Sequence, residues 1–353
     1  MEKKVTMMNT KIAVIGSGAN GTVVGTNLIQ AGYDVTLIDQ WPKHVEKMRK
    51  DGATIIMPDR TEVVPVDKVL HLYEVAELTS TFDTVLLSSK AYDAKWMAQL
   101  MEPYLKPDGL LIGVQNGMTA ETIADVVGKN RTLGCVIEIS SGLYDPGIIY
   151  RDTPQEHSWF AVGSFHSCTE GREQEIVELL SHVGTCEISK DILASKWMKL
   201  VYNCSSIATT SMLGLNMEEA RHVAGMDEPM LRAGQEAMDV GDALGYKRLP
   251  IMGLTKNDCV SSSRTVEAML ARGYQEFILT QTKAGILQDW EKGRRSEAWN
   301  MNGYVVEKAV NFGIDVPVNK AIMDITKLIE SHKLKPKPEN ARLLYDLVES
   351  YKK

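Results

Sequence analysis

Short apolar runs alternate with amphipathic stretches through the first part of the chain. Residues 11–15 and 34–38 have the pattern of buried strands, and the apolar spacing of residues 20–31 predicts a helix between them. This order is the start of a parallel βαβ unit. Further helices, short strands and one hairpin are predicted by the same criteria at residues 44–51, 53–66, 84–88, 94–104, 110–114 and 120–127. We therefore expect an α/β fold here.

The pattern changes twice further along the chain. Residues 131–163 are rich in strand and turn signals, and a helix at 172–182 and a strand near 186–188 follow. Beyond these the strand pattern disappears, and helical spacing is found at residues 191–213, 217–244, 265–270, 297–312, 317–329 and 341–351. We expect a boundary near Lys190 that separates an α/β domain, residues 1–190, from an all-helical domain, residues 191–353.

The length and net charge of the chain indicate how many domains it has and which partners its charge disfavours. A chain of 353 residues is long enough for two domains, and its net charge of −7 disfavours a nucleic-acid partner, which needs a concentrated basic surface. We find no run of eighteen apolar residues, and the polar start of the chain differs from a secretory signal. The sequence therefore predicts a cytoplasmic protein with no membrane partner.

The cysteines do not indicate a disulfide framework or a metal site. Their number, five, is odd, they are widely spaced, and they form no CxxC motif and no Cys/His cluster. We expect reduced thiols and no bound metal.

A glycine motif carries the first chemical signal. Gly16-Ser17-Gly18-Ala19-Asn20-Gly21 has the form GxGxxG, and it follows a predicted strand and begins a predicted helix. Its first glycine permits a tight turn, its second lets a pyrophosphate approach the backbone, and its third allows close helix packing. The helix N-terminus attracts the negative charge. The motif predicts a dinucleotide site formed by these six residues, although an ordinary glycine turn is the alternative.

An acidic residue at the end of the second strand bears on the choice of dinucleotide. Asp39 lies about 20 residues after the glycines, where a carboxylate accepts a hydrogen bond from the ribose 2′-hydroxyl of NAD and repels the 2′-phosphate of NADP. No arginine stands at this strand end, and only Lys43 and His44 are close in sequence. The sequence favours NAD over NADP, unless Asp39 only caps the segment that follows.

Two polar residues follow later strands of the predicted sheet. Lys90 and Asn116 would both emerge at the carboxyl ends of strands, which is the ligand side of an open α/β sheet. We expect both to face the nicotinamide side. A surface lysine and a turn asparagine are the alternatives.

The helical half contains a candidate proton donor. Lys199 and Asn203 are four residues apart and share a helix face with apolar neighbours such as Trp197 and Leu200. Burial would lower the pKa of the lysine towards a value useful for proton transfer, whereas a lysine at the helix edge would reach solvent. Glu297 is either its counter-ion or a carboxylate favoured by the first turn of a helix.

In their order and spacing these motifs resemble the ketopantoate reductase family, from the glycine loop to Pro317. The resemblance implies a Rossmann domain followed by a helical substrate and dimerisation domain, in a homodimer. It implies an NAD(P)-dependent oxidoreductase that reduces a small 2-oxo acid. The family's default reaction converts 2-dehydropantoate to D-pantoate, a step of pantothenate biosynthesis.

The resemblance also implies roles for individual residues. Lys199 matches the family's general acid, and Glu297 matches its acidic substrate-site residue. Asn116 and Asn203 match polar groups that hold the substrate, and Lys90 matches a cofactor-side lysine.

Several positions depart from the family pattern. Ile207 stands where the family has a further substrate-binding asparagine, and Gly285 stands where it commonly has a serine. Asp39 is unusual in a family that prefers NADPH, and the chain is longer than the usual member. Loss of two hydrogen-bonding groups would favour a more apolar substrate.

Two alternatives remain open beside the reductase. The first is an NAD-linked D-2-hydroxyacid dehydrogenase of the same family that acts on a bulkier apolar substrate. The second is a non-catalytic dinucleotide-binding regulator, whose signature would be loss of Lys199 or Glu297, and both residues are present.

Overall fold

The computed structural model describes residues 10–278 and 281–351. The chain divides into two compact units, of which the first ends at Leu193 and the second begins at Ala194. Within the described ranges no helix combines the length and the apolar character needed to cross a membrane.

Strands and helices alternate in the first unit. Its strands are β1 (Lys11–Ile15), β2 (Asp34–Asp39), β3 (Ala53–Ile56), β4 (Thr61–Val64), β5 (Val69–His71), β6 (Phe82–Leu87), β7 (Leu105–Gly113), β8 (Gly134–Glu138), β9 (Ser141–Asp145), β10 (Ile148–Arg151), β11 (Trp159–Gly163) and β12 (Thr185–Ile188). Its helices are α1 (Ala19–Gln30), α2 (Pro42–Asp51), α3 (Ala94–Met101), α4 (Ala120–Val127) and α5 (Glu173–Leu180).

A five-stranded parallel sheet forms the centre of this unit, with the strand order β5-β2-β1-β6-β7. Residues 12–15 of β1 are fully buried, because β1 is the central strand and apolar clusters lie on both faces of the sheet. A strand buried on both faces has a continuous apolar run rather than an alternating one, which is why this pattern identified it. β5 was not predicted, since three residues are too few to give a pattern.

The predicted hairpin at residues 53–66 is confirmed as the antiparallel pair of β3 and β4. It does not join the parallel sheet. It belongs to a second sheet with the order β4-β3-β10-β9, in which β10 pairs with β3 in parallel and with β9 antiparallel. A third sheet has the order β12-β11-β8, so the strand-rich pattern of residues 131–163 is also confirmed.

The second unit is helical. Its helices are α6 (Ile192–Ser211, of which residues 192 and 193 lie in the first unit), α7 (Met217–Arg221), α8 (Asp227–Ala243), α9 (Ser262–Arg272), α10 (Gly285–Glu291), α11 (Asn302–Val310), α12 (Pro317–Glu330) and α13 (Asn340–Tyr351). The prediction of one helix over residues 217–244 is wrong, because the helical conformation is interrupted between α7 and α8, where Gly225 has φ +83°. The helix predicted from residue 297 begins instead as the 3₁₀ turn Glu297–Asn300, ahead of α11.

Helices α6 and α8 approach each other closely. A Cβ at Gly234 of α8 would lie 2.1 Å from Ser205 Oγ, and a Cβ at Gly241 would lie 2.0 Å from Trp197 Nε1. The Trp197 indole donates to the Ala237 carbonyl, while Ser205 donates to the Val201 carbonyl of its own helix. Glycine at these two positions of α8 therefore makes room for the Ser205 and Trp197 side chains of α6.

Candidate active site

The glycine loop lies at the carboxyl end of β1 and is fixed by its two neighbouring strands. Gly16 has φ +79°, and a Cβ there would lie 2.6 Å from the Ser89 backbone nitrogen after β6. The backbone N–H groups of Gly16 and Ser17 both donate to the Ile38 carbonyl of β2, at 2.9 and 3.1 Å. Only glycine fits the first position, because a side chain would be strained and would collide with backbone.

The second and third glycines have different surroundings. A Cβ at Gly21 would lie 2.5 Å from the Gly16 carbonyl oxygen, so this position is closed. A Cβ at Gly18 would meet no atom of the described residues within 4 Å. Gly18 is also the N-cap of α1 and has no side chain to cap the helix. The space beside Gly18 and the first-turn N–H groups of α1 fit the pyrophosphate of a dinucleotide.

The remaining loop residues support this geometry. The Ser17 side chain is buried, donates to the Val14 carbonyl and accepts from the Ile38 N–H. Ala19 is the first residue of α1, and the Asn20 side-chain oxygen accepts from Ser141 Oγ of β9 at 2.6 Å. The glycine loop is thereby held by its own strand and by the second sheet.

Asp39 lies at the carboxyl end of β2, beside the glycine loop in the strand order. Its side chain is 7% exposed, and Oδ1 accepts from the Trp41 N–H at 2.8 Å. One carboxylate oxygen therefore does cap the segment that follows, as the alternative interpretation expects. This contact is compatible with a role of the same carboxylate in ribose binding.

Lys90 and Asn116 follow β6 and β7, which are neighbours in the parallel sheet. Their loops are joined by Gln115, a residue that the sequence analysis did not single out. Its side-chain amide donates to the Ser89 carbonyl at 2.6 Å and to Ser89 Oγ at 3.1 Å. Ser88 Oγ in the first of these loops is buried, and the described residues provide no hydrogen-bond partner for it. A buried hydroxyl at this edge of the sheet is a further group that a bound dinucleotide could satisfy.

Lys199 and Asn203 are both buried on α6, with 6% and 0% of their surfaces exposed. The lysine does not reach solvent, so the helix-edge alternative is wrong. Burial disfavours the charged form and lowers the pKa of Lys199 to about 7. The ammonium nitrogen lies 4.5 Å from the centre of the Tyr202 ring, a distance at which the ring face attracts a cation. Lys199 can therefore hold or release a proton near neutral pH.

Glu297 is the half-buried first residue of its 3₁₀ turn, with Ser296 as the N-cap. This turn is anchored by Glu330 of α12, which the sequence analysis missed. The Glu330 carboxylate accepts from the Ser296 N–H at 3.0 Å, from Ser296 Oγ at 2.7 Å and from the Trp299 indole at 3.0 Å. These hydrogen bonds lower the pKa of Glu330, although burial opposes them. The acidic side chain of Glu297 is thus carried on a turn with a fixed backbone.

The two positions that depart from the family pattern have apolar or open surroundings. Ile207 is half-buried against a cluster of apolar side chains formed by Met217, Ile278 and Ala284, which Tyr274 also contacts. A Cβ at Gly285 would find no described atom within 4 Å. Neither position offers a side-chain hydrogen-bonding group.

The parallel strand order and the glycine turn between β1 and α1 define the first unit as a Rossmann fold, the class that binds dinucleotides. The family model described as "Ketopantoate reductase PanE/ApbA" matches residues 12–164, and the model of its C-terminal part matches residues 191–330. The chain belongs to the ketopantoate reductase family, and it is an oxidoreductase.

Individual relatives are distant but cover most of the chain. A 2-dehydropantoate 2-reductase from Archaeoglobus fulgidus is 26% identical over 91% of this chain and 98% of its own length. A ketopantoate reductase from Ralstonia eutropha JMP134 has a TM-score of 0.76 at 23% identity, over 92% of this chain and 99% of its own. D-mandelate dehydrogenase, in a ternary structure with NADH and anilino(oxo)acetate, has a TM-score of 0.80 at 20% identity over the same shares.

Proposed function

We propose that the protein reduces a small 2-oxo acid to the 2-hydroxy acid with NADH or NADPH, with 2-dehydropantoate as the default substrate. The observation that carries this proposal is the burial of Lys199, whose pKa of about 7 suits proton transfer, in a chain of this family. A non-catalytic regulator would have no use for such a group, because burying an amine lowers stability.

The side chains support the following division of roles. When bound, the dinucleotide supplies the hydride that forms the new C–H bond at C2 of the substrate. The Lys199 ammonium donates a hydrogen bond to the carbonyl oxygen, and then a proton to the oxygen as negative charge develops there. Asn203, one turn away on α6, orients the substrate, and Glu297 contributes an acidic group at the substrate site. Lys90 and Asn116 act on the nicotinamide side, and Asn116 also contacts the substrate.

An NAD-linked D-2-hydroxyacid dehydrogenase is the second candidate. It is supported by the apolar cluster around Ile207, by the open position at Gly285 and by the likeness to D-mandelate dehydrogenase. Both candidates use the same proton-transfer group, in opposite directions.

A substrate panel distinguishes the two. Initial rates of NADH and NADPH oxidation would be measured with 2-dehydropantoate and with branched and aromatic 2-oxo acids. Turnover of 2-dehydropantoate above all others supports the default substrate, whereas preference for the bulkier acids supports the dehydrogenase. Failure of every acid with either nucleotide would contradict the proposed function.

Substitution of Ile207 tests the physical basis of this preference. We expect Ile207→Asn to raise kcat/KM for 2-dehydropantoate relative to an aromatic acid by about five- to tenfold, because one hydrogen bond to a hydroxyl group is worth about 1–1.4 kcal/mol. Val310→Asn is the matched control, since Val310 is a branched residue at 73% exposure on α11. If Ile207→Asn left the ratio of the two kcat/KM values unchanged, position 207 would have no part in the choice of substrate.

The proposed preference for NAD rests on Asp39. Asp39→Asn keeps an oxygen that accepts from the Trp41 N–H but removes the negative charge. We expect the ratio of the NADPH Kd to the NADH Kd to fall by about tenfold or more, because a 2′-phosphate no longer meets a carboxylate. Asp59→Asn, which removes an exposed carboxylate beside Arg60, is the control for net charge. An equal change in both variants would point to long-range charge rather than to direct contact.

A further inference from the structure

His44 lies in the first turn of α2 and is completely buried, although the proposed mechanism does not use it. Its Nδ1 atom accepts a hydrogen bond from the Gly147 N–H at 2.9 Å, and its Nε2 atom lies 3.0 Å from the Ser17 carbonyl oxygen. Gly147 belongs to the turn between β9 and β10, while Ser17 belongs to the glycine loop. One imidazole thus connects two loops that are far apart in sequence.

These two partners determine which nitrogen of the ring carries the proton. An N–H group can only donate, so Nδ1 must be the acceptor and carry no proton. A carbonyl oxygen can only accept, so Nε2 is protonated and donates to Ser17 at 3.0 Å, the shorter of its two contacts, while the Thr22 hydroxyl lies 3.3 Å away. A second proton on Nδ1 would face the Gly147 N–H. Burial acts in the same direction and lowers the pKa of His44 to about 4, so the ring is neutral at physiological pH.

The Ser17 carbonyl is restrained from more than one side. It accepts from the Thr22 hydroxyl at 2.7 Å, and the His44 ring is itself stacked against Trp41, with ring centres 6.0 Å apart. The peptide that follows this carbonyl ends at the Gly18 nitrogen. A fixed Ser17 carbonyl therefore sets the orientation of that N–H group at the open position beside Gly18.

We propose that His44 is a positioning residue for the dinucleotide: through Nε2 it holds the Ser17–Gly18 peptide in the orientation that binds the pyrophosphate. This inference rests on the proposed function, because it assumes that the glycine loop binds the cofactor. His44 does not contact the reacting atoms, so it acts on nucleotide affinity and not on the proton-transfer step.

Two amide variants separate the two hydrogen bonds. In His44→Gln the amide nitrogen is as many bonds from the backbone as Nε2, so it can still donate to Ser17. In His44→Asn the amide oxygen corresponds to Nδ1, so it can accept from Gly147 but cannot reach Ser17. Each variant loses one buried hydrogen bond, and we expect both to lower the melting temperature.

We expect only His44→Asn to weaken nucleotide binding. Titration of NADH and NADPH against each variant should show a Kd raised by about tenfold in His44→Asn and changed by less than about threefold in His44→Gln. The KM for nucleotide should follow the Kd, while kcat remains that of the wild type. Equal weakening in both variants, or none in either, would overturn the proposal. If the wild type bound neither nucleotide, the proposed function itself would fail.

A measurement on the unmodified protein covers the case in which a variant does not fold. The Nε2 proton of a neutral, buried imidazole can be observed by nitrogen-15 correlation spectroscopy. Because Nε2 bonds to the loop, its resonance should shift on addition of NADH or NADPH. A nucleotide that binds without moving this resonance would overturn the role of His44.

Discussion

Replacing Lys199 with alanine is expected to lower kcat for reduction by about two to four orders of magnitude, the usual contribution of a positioned general acid. The Kd of the nucleotide should change by less than about threefold, because the glycine loop does not include this residue. Lys199→Met is the matched variant, since it keeps most of the apolar volume of the stem and removes only the amine. Near-normal rates in either variant would exclude Lys199 as the proton donor.

The pH dependence of the wild type gives an independent check on this role. Reduction needs the ammonium, so kcat/KM for reduction should fall as the pH rises through about 7. Oxidation of the hydroxy acid needs the free amine, so its kcat/KM should rise with pH through the same value. The two profiles should therefore be opposite.

The free energy of unfolding of Lys199→Met shows whether a loss of activity comes from the missing amine or from a poorly folded protein. The folded-state pKa of Lys199 is lowered from 10.5 to about 7, so folding is penalised in full below pH 7 and the penalty disappears as the pH rises towards 10.5. Lys199→Met has no such penalty. We expect it to be inactive yet to have a larger free energy of unfolding than the wild type at pH 7. Lower stability there would contradict the assigned cost of burial.

Gly18→Ala is expected to weaken nucleotide binding strongly without a steric collision inside the protein. The new methyl group would enter space that no described atom fills, so it would collide with no part of the described residues. A methyl group there would hold the pyrophosphate away from the backbone, and each lost hydrogen bond to a charged group is worth about 1.5–3 kcal/mol. We expect the Kd of the nucleotide to rise by about ten- to a hundredfold or more.

Gly21→Ala provides the contrast for this experiment. Its methyl group would collide with the Gly16 carbonyl oxygen, so we expect it to lower both the melting temperature and the affinity. The measurement is a thermal melt of each variant beside a nucleotide titration. Unchanged affinity in a fully folded Gly18→Ala protein would mean that the pyrophosphate does not lie against Gly18.

The sequence predicted those features that depend on neighbours along the chain. The βαβ start, the glycine turn and the candidate helix of Lys199 each follow from local pattern, and their elements are confirmed. Local pattern failed between residues 217 and 244, because it did not predict the break between α7 and α8, in which Gly225 has a positive φ. The local pattern did predict the hairpin of β3 and β4. It could not predict that β3 pairs with β10, because that strand is about 90 residues away along the chain.

The supporting residues of the candidate site could not be predicted in this way. Glu330 holds the turn of Glu297, and His44 holds the loop of Ser17, through contacts between distant parts of the chain. Nothing in the sequence around either residue marks it. The burial of Lys199 was left open by the sequence for the same reason, since helical spacing gives the face on which a residue lies and not its exposure in the folded chain.

The close approach of α6 and α8 limits how this enzyme can diverge. Gly234 and Gly241 of α8 leave no room for a larger side chain against Ser205 and Trp197, so the close spacing of α6 and α8 depends on these two glycines. Lys199 and Asn203 both lie on α6, so their positions follow from the position of this helix. Under the roles proposed for Lys199 and Asn203, we expect a change of substrate to come from exchange of single side chains such as Ile207.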